Sequence, residues 1–138
     1  MTLDTSNKLI ATQLLLEKSD KNMEQAMRIA DLGYWDLVAN RLYYSVFHAV
    51  NAMLLIDGIN AGTHKGTSIQ FNRSYILTGI FDRKDGMLYG KLQNMRERAD
   101  YQNTFKLESI EGRNLMESAE ELRKRICEYV RFKINSYR

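Results

Sequence analysis

Apolar residues return at helical spacing along most of the chain, which predicts a succession of amphipathic helices. The first segment, from Thr5 to Leu32, carries its apolar stripe at Leu9, Leu16, Met23, Ala26, Met27 and Ala30. Thr5 or Ser6 can cap the start of this helix, and Gly33 suits its end. The Ser-Asp pair at 19–20 favours helix ends over helix interiors, so a kink or a break there is one alternative.

The second segment, from Trp35 to Asp57, is apolar on nearly every side and is followed by Gly58. A helix that is apolar all round is normally buried, so this segment is expected to be covered by the other helices. The connection at 33–34 is very short. The first two helices are therefore predicted to be antiparallel neighbours.

Three further helices are predicted in the second half of the chain. They run from about His64 to Leu77 after a Thr63 cap, from about Arg83 to Asp100 after an Asp82 cap, and from a cap at Ser109 to about Asn135. The positions expected to face the core in the last two are Met87, Leu88, Leu92, Met95, Leu115, Ala119, Leu122, Ile126 and Val130.

This pattern, together with the absence of proline from all 138 residues, predicts an all-α fold. We expect one domain, residues 1–138, built as an antiparallel bundle of four to five helices. The first two helices and the last should pack together, and the two middle helices should close one side. The longest non-helical stretches are expected at 58–66 and 101–108.

Composition adds constraints on the class of protein. Hydrophobic residues make up 44% of the chain, and the net charge of +3 permits a nucleic-acid partner without establishing one. Cys127 is the only cysteine, so no internal disulfide can form, and we expect an inert buried thiol. No apolar run reaches the roughly 18 residues of a membrane span, and the first residues do not resemble a signal peptide. We therefore expect a cytoplasmic protein without a membrane partner.

A polar stripe interrupts the second, otherwise apolar helix. Arg41 and His48 are seven residues apart, which places them on one face within roughly 20°, with Tyr44 or Ser45 between them. A charged side chain is rarely buried without a partner. The stripe therefore either lines a cleft or is satisfied inside the fold. In the second case Arg41 would pair with Asp100 and His48 would bond a tyrosine or a carbonyl, in a network without chemistry.

Three stretches of the sequence resemble a known family. Residues 40–48, Asn-Arg-Leu-Tyr-Tyr-Ser-Val-Phe-His, resemble the Arg-x-x-Tyr-Tyr-x-x-Phe-His signature of HEPN domains, which are small helical domains. Residues 63–66, Thr-His-Lys-Gly, resemble the Ser-His-Lys-Gly loop of a bacterial and archaeal HEPN subfamily. Residues 96–101, Arg-Glu-Arg-Ala-Asp-Tyr, resemble its Arg-x-x-Ala-Asp-Tyr motif. The resemblance covers about residues 9–130.

The resemblance implies a function. Many HEPN proteins are dimeric, metal-independent ribonucleases, often toxins paired with a minimal nucleotidyltransferase antitoxin. Their active site uses an Arg-x4–6-His motif brought together across a dimer interface. By this resemblance, His48 is the general base or acid at a ribose 2′-hydroxyl and Arg41 holds the scissile phosphate. Histidine titrates near neutral pH, and the arginine fork matches phosphate oxygens.

Further candidate substrate- or nucleotide-binding residues are Tyr44, Arg96, Asp100, Tyr101, His64 and Lys65. Each has a plainer alternative: packing for Tyr44, solvent for Arg96, a cap or an ion pair for Asp100 and Tyr101, and a solvated loop for 64–65. His64 and Lys65 lie at the expected N-terminus of the third helix. Backbone N–H groups at a helix N-terminus favour anions, which is the argument for a binding role of these two residues. No cofactor is expected. No metal is expected either, because two histidines without a nearby acidic cluster make a poor ligand set.

Leu42 departs from the ribonuclease pattern. The residue after the arginine is usually polar in active HEPN nucleases, whereas here the polar residue, Asn40, precedes it. This keeps a second hypothesis open: a non-catalytic binding module that partners a nucleotidyltransferase-type protein. A homodimer that binds RNA or a nucleotide is the leading interpretation.

Overall fold

The computed structural model describes residues 4–102 and 105–137. Over those ranges the chain forms helices and connections, with no strand. The five α-helices are α1 Thr5–Asp31, α2 Trp35–Ile56, α3 His64–Phe71, α4 Arg83–Tyr101 and α5 Ser109–Ser136. The predicted all-α helical fold is confirmed.

The connections lie close to their predicted positions. The stretch expected at 58–66 is non-helical over 57–63, because α3 already begins at His64. The stretch expected at 101–108 begins at 102, since Tyr101 still belongs to α4, and residues 103–104 of that prediction lie outside the described residues. A π-helical turn, Asn72–Ile76, follows α3 directly and takes the last part of the third predicted helix.

Two helix caps differ from the prediction. Asp4, rather than Thr5 or Ser6, caps α1, because its carboxylate accepts the Asn7 backbone N–H at 2.8 Å. At α5 the N-cap residue is Glu108, without a side-chain cap hydrogen bond, and helical geometry has already begun at Ser109. Both α1 and α5 nevertheless begin within one residue of their predicted starts.

The α1–α2 hairpin is the centre of the bundle. The three-residue connection Leu32–Tyr34 reverses the chain, and Gly33 takes a φ of 79° that suits a helix end. Ser19 does not break α1. Its hydroxyl donates to the Ser45 backbone carbonyl at 2.7 Å, so this polar residue joins the two helices instead.

The other long helices pack around this hairpin. α5 runs parallel to α2: Gly112 at its start lies against Trp35, where an added Cβ would come within 2.4 Å of the indole ring. At the other end, Tyr129 donates a hydrogen bond to Asp57 at 2.7 Å. α4 runs antiparallel to α2 and, with α3, covers its remaining side. This is the packing order that the sequence predicts.

The predicted core positions Leu92 and Met95 of α4 are buried, but the first turn of this helix differs from the prediction. Met87 is 68% exposed and Leu88 is only partly buried, whereas Asp85 and Tyr89 are almost completely buried. Asp85 accepts two hydrogen bonds from the Arg125 guanidinium, at 2.7 and 2.9 Å, which draws this polar position inward. In α1, Met27 likewise proves to be exposed. The five predicted core positions of α5 are all buried.

Candidate active site

Arg41 and His48 both face a groove between α1 and α2. The groove has a volume of about 330 Å³ and is lined by Lys18, Lys21, Asn22, Gln25, Arg41, Tyr44 and His48. Its floor is α2, and one wall is the middle of α1. Every charged side chain in this lining is basic, since the others are amides, a tyrosine and a histidine. The groove is therefore suited to an anion.

The Arg41 guanidinium is held in the groove by neutral groups. Its Nε donates to the Asn40 side-chain oxygen at 2.9 Å, and Nη1 donates to Asn22 at 3.0 Å and to Gln25 at 3.3 Å. Among the described residues it makes no ion pair with a carboxylate. The hypothetical partner Asp100 instead lies 3.4 Å from the Asn40 amide nitrogen. The positive charge of Arg41 is therefore positioned but not neutralised.

Tyr44 lies at the centre of the candidate residues. Its ring centroid is 5.6 Å from the Arg41 guanidinium and 5.9 Å from that of Arg96. The same ring is 6.0 Å from the His48 ring and 5.8 Å from the His64 ring. Side chains from α2, α3 and α4 thus converge on one tyrosine, with cations on its face as cation–π contacts require.

His48 is half-buried and forms no hydrogen bond within residues 4–102 and 105–137. Burial, followed by the charges of Lys18 and Arg41, lowers its pKa from the ordinary 6.5 to about 4. The imidazole is therefore neutral at pH 7 and has a lone pair free to accept a proton. This is the form that a general base requires.

His64 anchors the start of α3 to α2. Its Nδ1 lies 2.7 Å from the Tyr43 hydroxyl, and its ring stacks on Phe47 with centroids 4.5 Å apart. Burial and the nearby Arg96 lower its pKa. His64 is therefore a packed residue rather than part of a solvated loop, while its neighbour Lys65 is exposed.

Arg96 packs its guanidinium on aromatic rings. The guanidinium lies 5.0 Å from the Tyr43 ring centroid, and its side chain is only 11% exposed. Its ion contacts with Asp100, at 3.6 Å, and Glu97, at 3.8 Å, are long. Tyr101, by contrast, is 80% exposed. The structure thus brings Arg41, Tyr44, His48, His64, Arg96 and Asp100 into one region and leaves Lys65 and Tyr101 at the surface.

The sequence interpretation missed the α1 wall of the groove. Lys18, Asn22 and Gln25 are spaced four and three residues apart, so they share a face of α1. That face opposes Arg41, since the Asn22 and Gln25 side chains both accept hydrogen bonds from its guanidinium. The sequence does contain a pattern that could have predicted this wall: polar residues at i, i+4 and i+7 beside the apolar stripe of α1.

Within residues 4–102 and 105–137, no group of three or more His, Cys, Asp or Glu side chains is arranged to hold a metal ion. None of the helices in that same part of the chain has both the length and the apolar character needed to cross a bilayer.

Comparison with known proteins places the groove in a family. A family model described as the HEPN domain matches residues 12–130. The chain belongs to the HEPN family. The matched span runs from the second turn of α1 to the last turns of α5, so this HEPN protein carries the whole groove within its family domain.

Its relatives include two proteins of Methanocaldococcus jannaschii. "Putative toxin MJ0142" is 30% identical over 102 residues, which are 74% of this chain and 69% of the relative. "Putative toxin MJ0605" is 31% identical over 109 residues, 78% of this chain and 80% of the relative. A "UPF0332 protein" of Thermotoga maritima is 31% identical over 81 residues, 59% of this chain and 61% of the relative. Two of these three relatives thus carry the name "Putative toxin".

Proposed function

We propose that this HEPN protein is a metal-independent endoribonuclease that acts as a toxin-like homodimer. The observation that carries the proposal is the shared groove of Arg41 and His48, whose charged lining residues are all basic. An RNA backbone supplies both the anion for Arg41 and the 2′-hydroxyl for His48.

The reaction needs only these two side chains and the RNA. Neutral His48 removes the proton of the ribose 2′-hydroxyl, and the 2′-oxygen forms a bond to phosphorus. The bond from phosphorus to the 5′-oxygen breaks, and the leaving 5′-oxygen takes the proton that His48 has just accepted from the 2′-hydroxyl. The products are a 2′,3′-cyclic phosphate and a 5′-hydroxyl. Arg41 stabilises the charge that develops on the phosphate oxygens.

The surrounding candidates have supporting roles in this proposal. Tyr44 holds Arg41 and supplies a ring face, while Arg96 and His64 extend the polar surface along the substrate. Asp100 orients Asn40, which in turn bonds Arg41. The exposed positions Lys65 and Tyr101 are outer RNA contacts.

A homodimer is supported by the surface beside the groove. Ile10 and Leu14 of α1 are 59% and 53% exposed, and Leu14 lies next to Lys18 and Lys21 in an adjoining depression. We expect a closed, two-fold dimer that places the grooves of two single-domain chains near each other. Sedimentation velocity at tens of micromolar should show a dimer, since a micromolar Kd would hold it there. A monomer alone at that concentration would contradict this assembly.

The proposed partner is a nucleotidyltransferase-type antitoxin, and the proposed setting is the cytoplasm, where the RNA substrate is. The similarity to proteins named as toxins supports a harmful activity that needs a counterpart. Co-expression with a neighbouring nucleotidyltransferase gene product should restore growth if the chain alone inhibits it.

The central test is incubation of the purified protein with mixed RNA, with and without EDTA. Cleavage is expected in both, with 2′,3′-cyclic phosphate ends. Cleavage that EDTA abolishes would refute metal independence, and intact RNA under all conditions would refute the ribonuclease.

A non-catalytic binding module is the second candidate, and one observation favours it. Leu42, where active family members usually carry a polar residue, is completely buried in the core and cannot contribute to the groove. Asn40 bonds Arg41 from the other side instead. A protein that binds nucleotide or a nucleotidyltransferase but leaves RNA intact would establish this candidate.

A further inference from the structure

His48 lies between two grooves. On one side is the basic groove with Arg41. On the other is a second groove, between α2 and the 57–63 connection, whose walls include Phe47, Leu54, Leu55 and Ile59. Whatever binds across His48 therefore meets cationic side chains on one side and apolar side chains on the other.

The second groove is uncharged. No Asp, Glu, Lys or Arg lines it, and its polar groups are the His48 imidazole, amides, hydroxyls and backbone. Its floor is fixed, because the Asn51 side chain donates to the Phe47 carbonyl at 2.9 Å and accepts from Thr67 at 3.2 Å. Both ends of that amide are in use. The groove is therefore a shaped, neutral surface rather than a second anion site.

Its rim offers unused hydrogen-bonding groups. Asn60 is exposed, and among the described residues its side chain has no hydrogen-bond partner. In the same part of the chain, the backbone N–H groups of 60–62 bond no other backbone group, whereas those of Ile59 and Thr63 do. Gly62, with φ of 72°, permits the turn that presents them. An apolar wall below a rim of hydrogen-bond donors and acceptors is complementary to a ligand that has a flat apolar ring with polar groups along its edge.

We propose that this second groove binds the base of the nucleotide whose ribose lies at His48 and whose phosphate lies at Arg41. The proposal rests on the proposed function, because it orients an RNA substrate of that same site. A nucleobase has an apolar face for Phe47, Leu55 and Ile59 and a polar edge for Asn60. The two grooves on either side of His48 then bind a single nucleotide, its phosphate in the basic groove and its base in the second groove.

The test compares a nucleoside 3′-monophosphate with inorganic phosphate, each titrated by calorimetry or NMR into the intact protein. The nucleotide is expected to bind at least about tenfold more tightly, because burying an apolar ring face contributes more than a tenfold gain requires. Equal affinities for the two ligands would overturn the proposal.

Leu55→Asn removes apolar wall without disturbing the main core. It should weaken nucleotide binding about tenfold and leave phosphate binding unchanged. Leu37→Asn is the matched control, because Leu37 is a half-exposed leucine of α2 that lines neither groove. Equal loss for nucleotide and phosphate in Leu55→Asn, or the same loss in Leu37→Asn, would overturn the base site.

A second variant keeps the test decisive if Leu55→Asn folds poorly. Asn60→Ala, on an exposed connection, should reduce the differences in Kd among the 3′-monophosphates of the four common nucleosides. Unchanged differences would exclude edge recognition, and binding of a peptide partner in this groove without any base dependence would exclude a base site. RNA cleavage without base-dependent binding would overturn this inference alone. Base-dependent binding without cleavage would overturn the ribonuclease and leave the base site standing.

Discussion

His48→Ala is expected to slow RNA cleavage by about 10²–10⁴-fold while helical content and the dimer remain. The reason is chemical: the variant loses the neutral imidazole that accepts the 2′-hydroxyl proton. The structural cost should be small, because His48 is only half-buried and forms no hydrogen bond within the described residues. Cleavage of a labelled RNA, beside circular dichroism and sedimentation, measures both effects.

Arg41→Ala separates catalysis from a structural network. If Arg41 mainly tied α1 to α2, its removal would cost about 3–5 kcal/mol of stability, as for a broken buried charge pair. Its observed partners are the neutral side chains of Asn22, Gln25 and Asn40, so we expect a much smaller loss. A strongly destabilised variant of a parent that never cut RNA would favour the network. Stable variants that lose only nucleotide or partner binding would favour the binding module.

The pH dependence follows from the pKa of His48, which is lowered to about 4. The base is active when neutral, so kcat/KM should fall as pH decreases through this lowered pKa of the free enzyme. Bound phosphate places a negative charge beside the imidazole and favours its protonated form. The acid limb of kcat should therefore lie at higher pH than that of kcat/KM. Coincident limbs near 6.5 would contradict the buried, neutral histidine.

Asp85→Ala is expected to lower the free energy of unfolding by about 2–4 kcal/mol. The carboxylate bonds Arg125 through both oxygens and accepts the Asp82 N–H at 3.1 Å in a capping box. Its loss leaves Arg125 unpaired and α4 with a weaker start. The Arg125 side chain is 38% exposed, which keeps the loss below that of a fully buried pair. Urea denaturation of parent and variant measures the difference.

The acid behaviour of Asp85 supplies a second check. Burial raises its pKa, but the Arg125 hydrogen bonds and the Asp82 N–H outweigh it, so the net pKa is lowered. The stabilisation is thus present above the ordinary carboxyl pKa of about 4 and is lost as pH falls through the lowered value. Asp31→Ala, an exposed position at the end of α1, is the control and should change stability by less than about 0.5 kcal/mol. An equal effect in both variants would contradict the buried pair.

The helices could be predicted because their burial is apolar, and the errors occur where burial is polar. The periodicity of the hydrophobic residues predicted the bounds and the buried faces of α2 and α5 well, because their buried positions are mostly apolar. It was wrong for the first turn of α4, because Asp85 is buried there through its hydrogen bonds with Arg125 of α5. It also missed the π turn. In that turn the Tyr75 hydroxyl donates to Asp57 at 2.7 Å. This contact joins residues 18 positions apart, so the local sequence pattern does not predict it.

The same distinction applies to the candidate site. The common face of Arg41 and His48 follows from seven-residue spacing within one helix. The roles of Asn22 and Gln25 depend on how α1 is aligned against α2, which spacing within either helix does not fix. His64 reaches the cluster only because α3 folds back on Phe47. Long-range contacts of this kind required the three-dimensional structure.

The hydrogen bond from Ser19 to Ser45 also constrains which insertions and deletions the gene can tolerate. One residue inserted between Ser19 and Gly33 would turn the rest of α1 by about 100°. Asn22 and Gln25 would then leave Arg41, and the three-residue connection has no spare length to compensate. An insertion just before Ser19 would likewise turn the buried residues Thr12 and Leu16 away from the core. Length variation should therefore be excluded from 12–34.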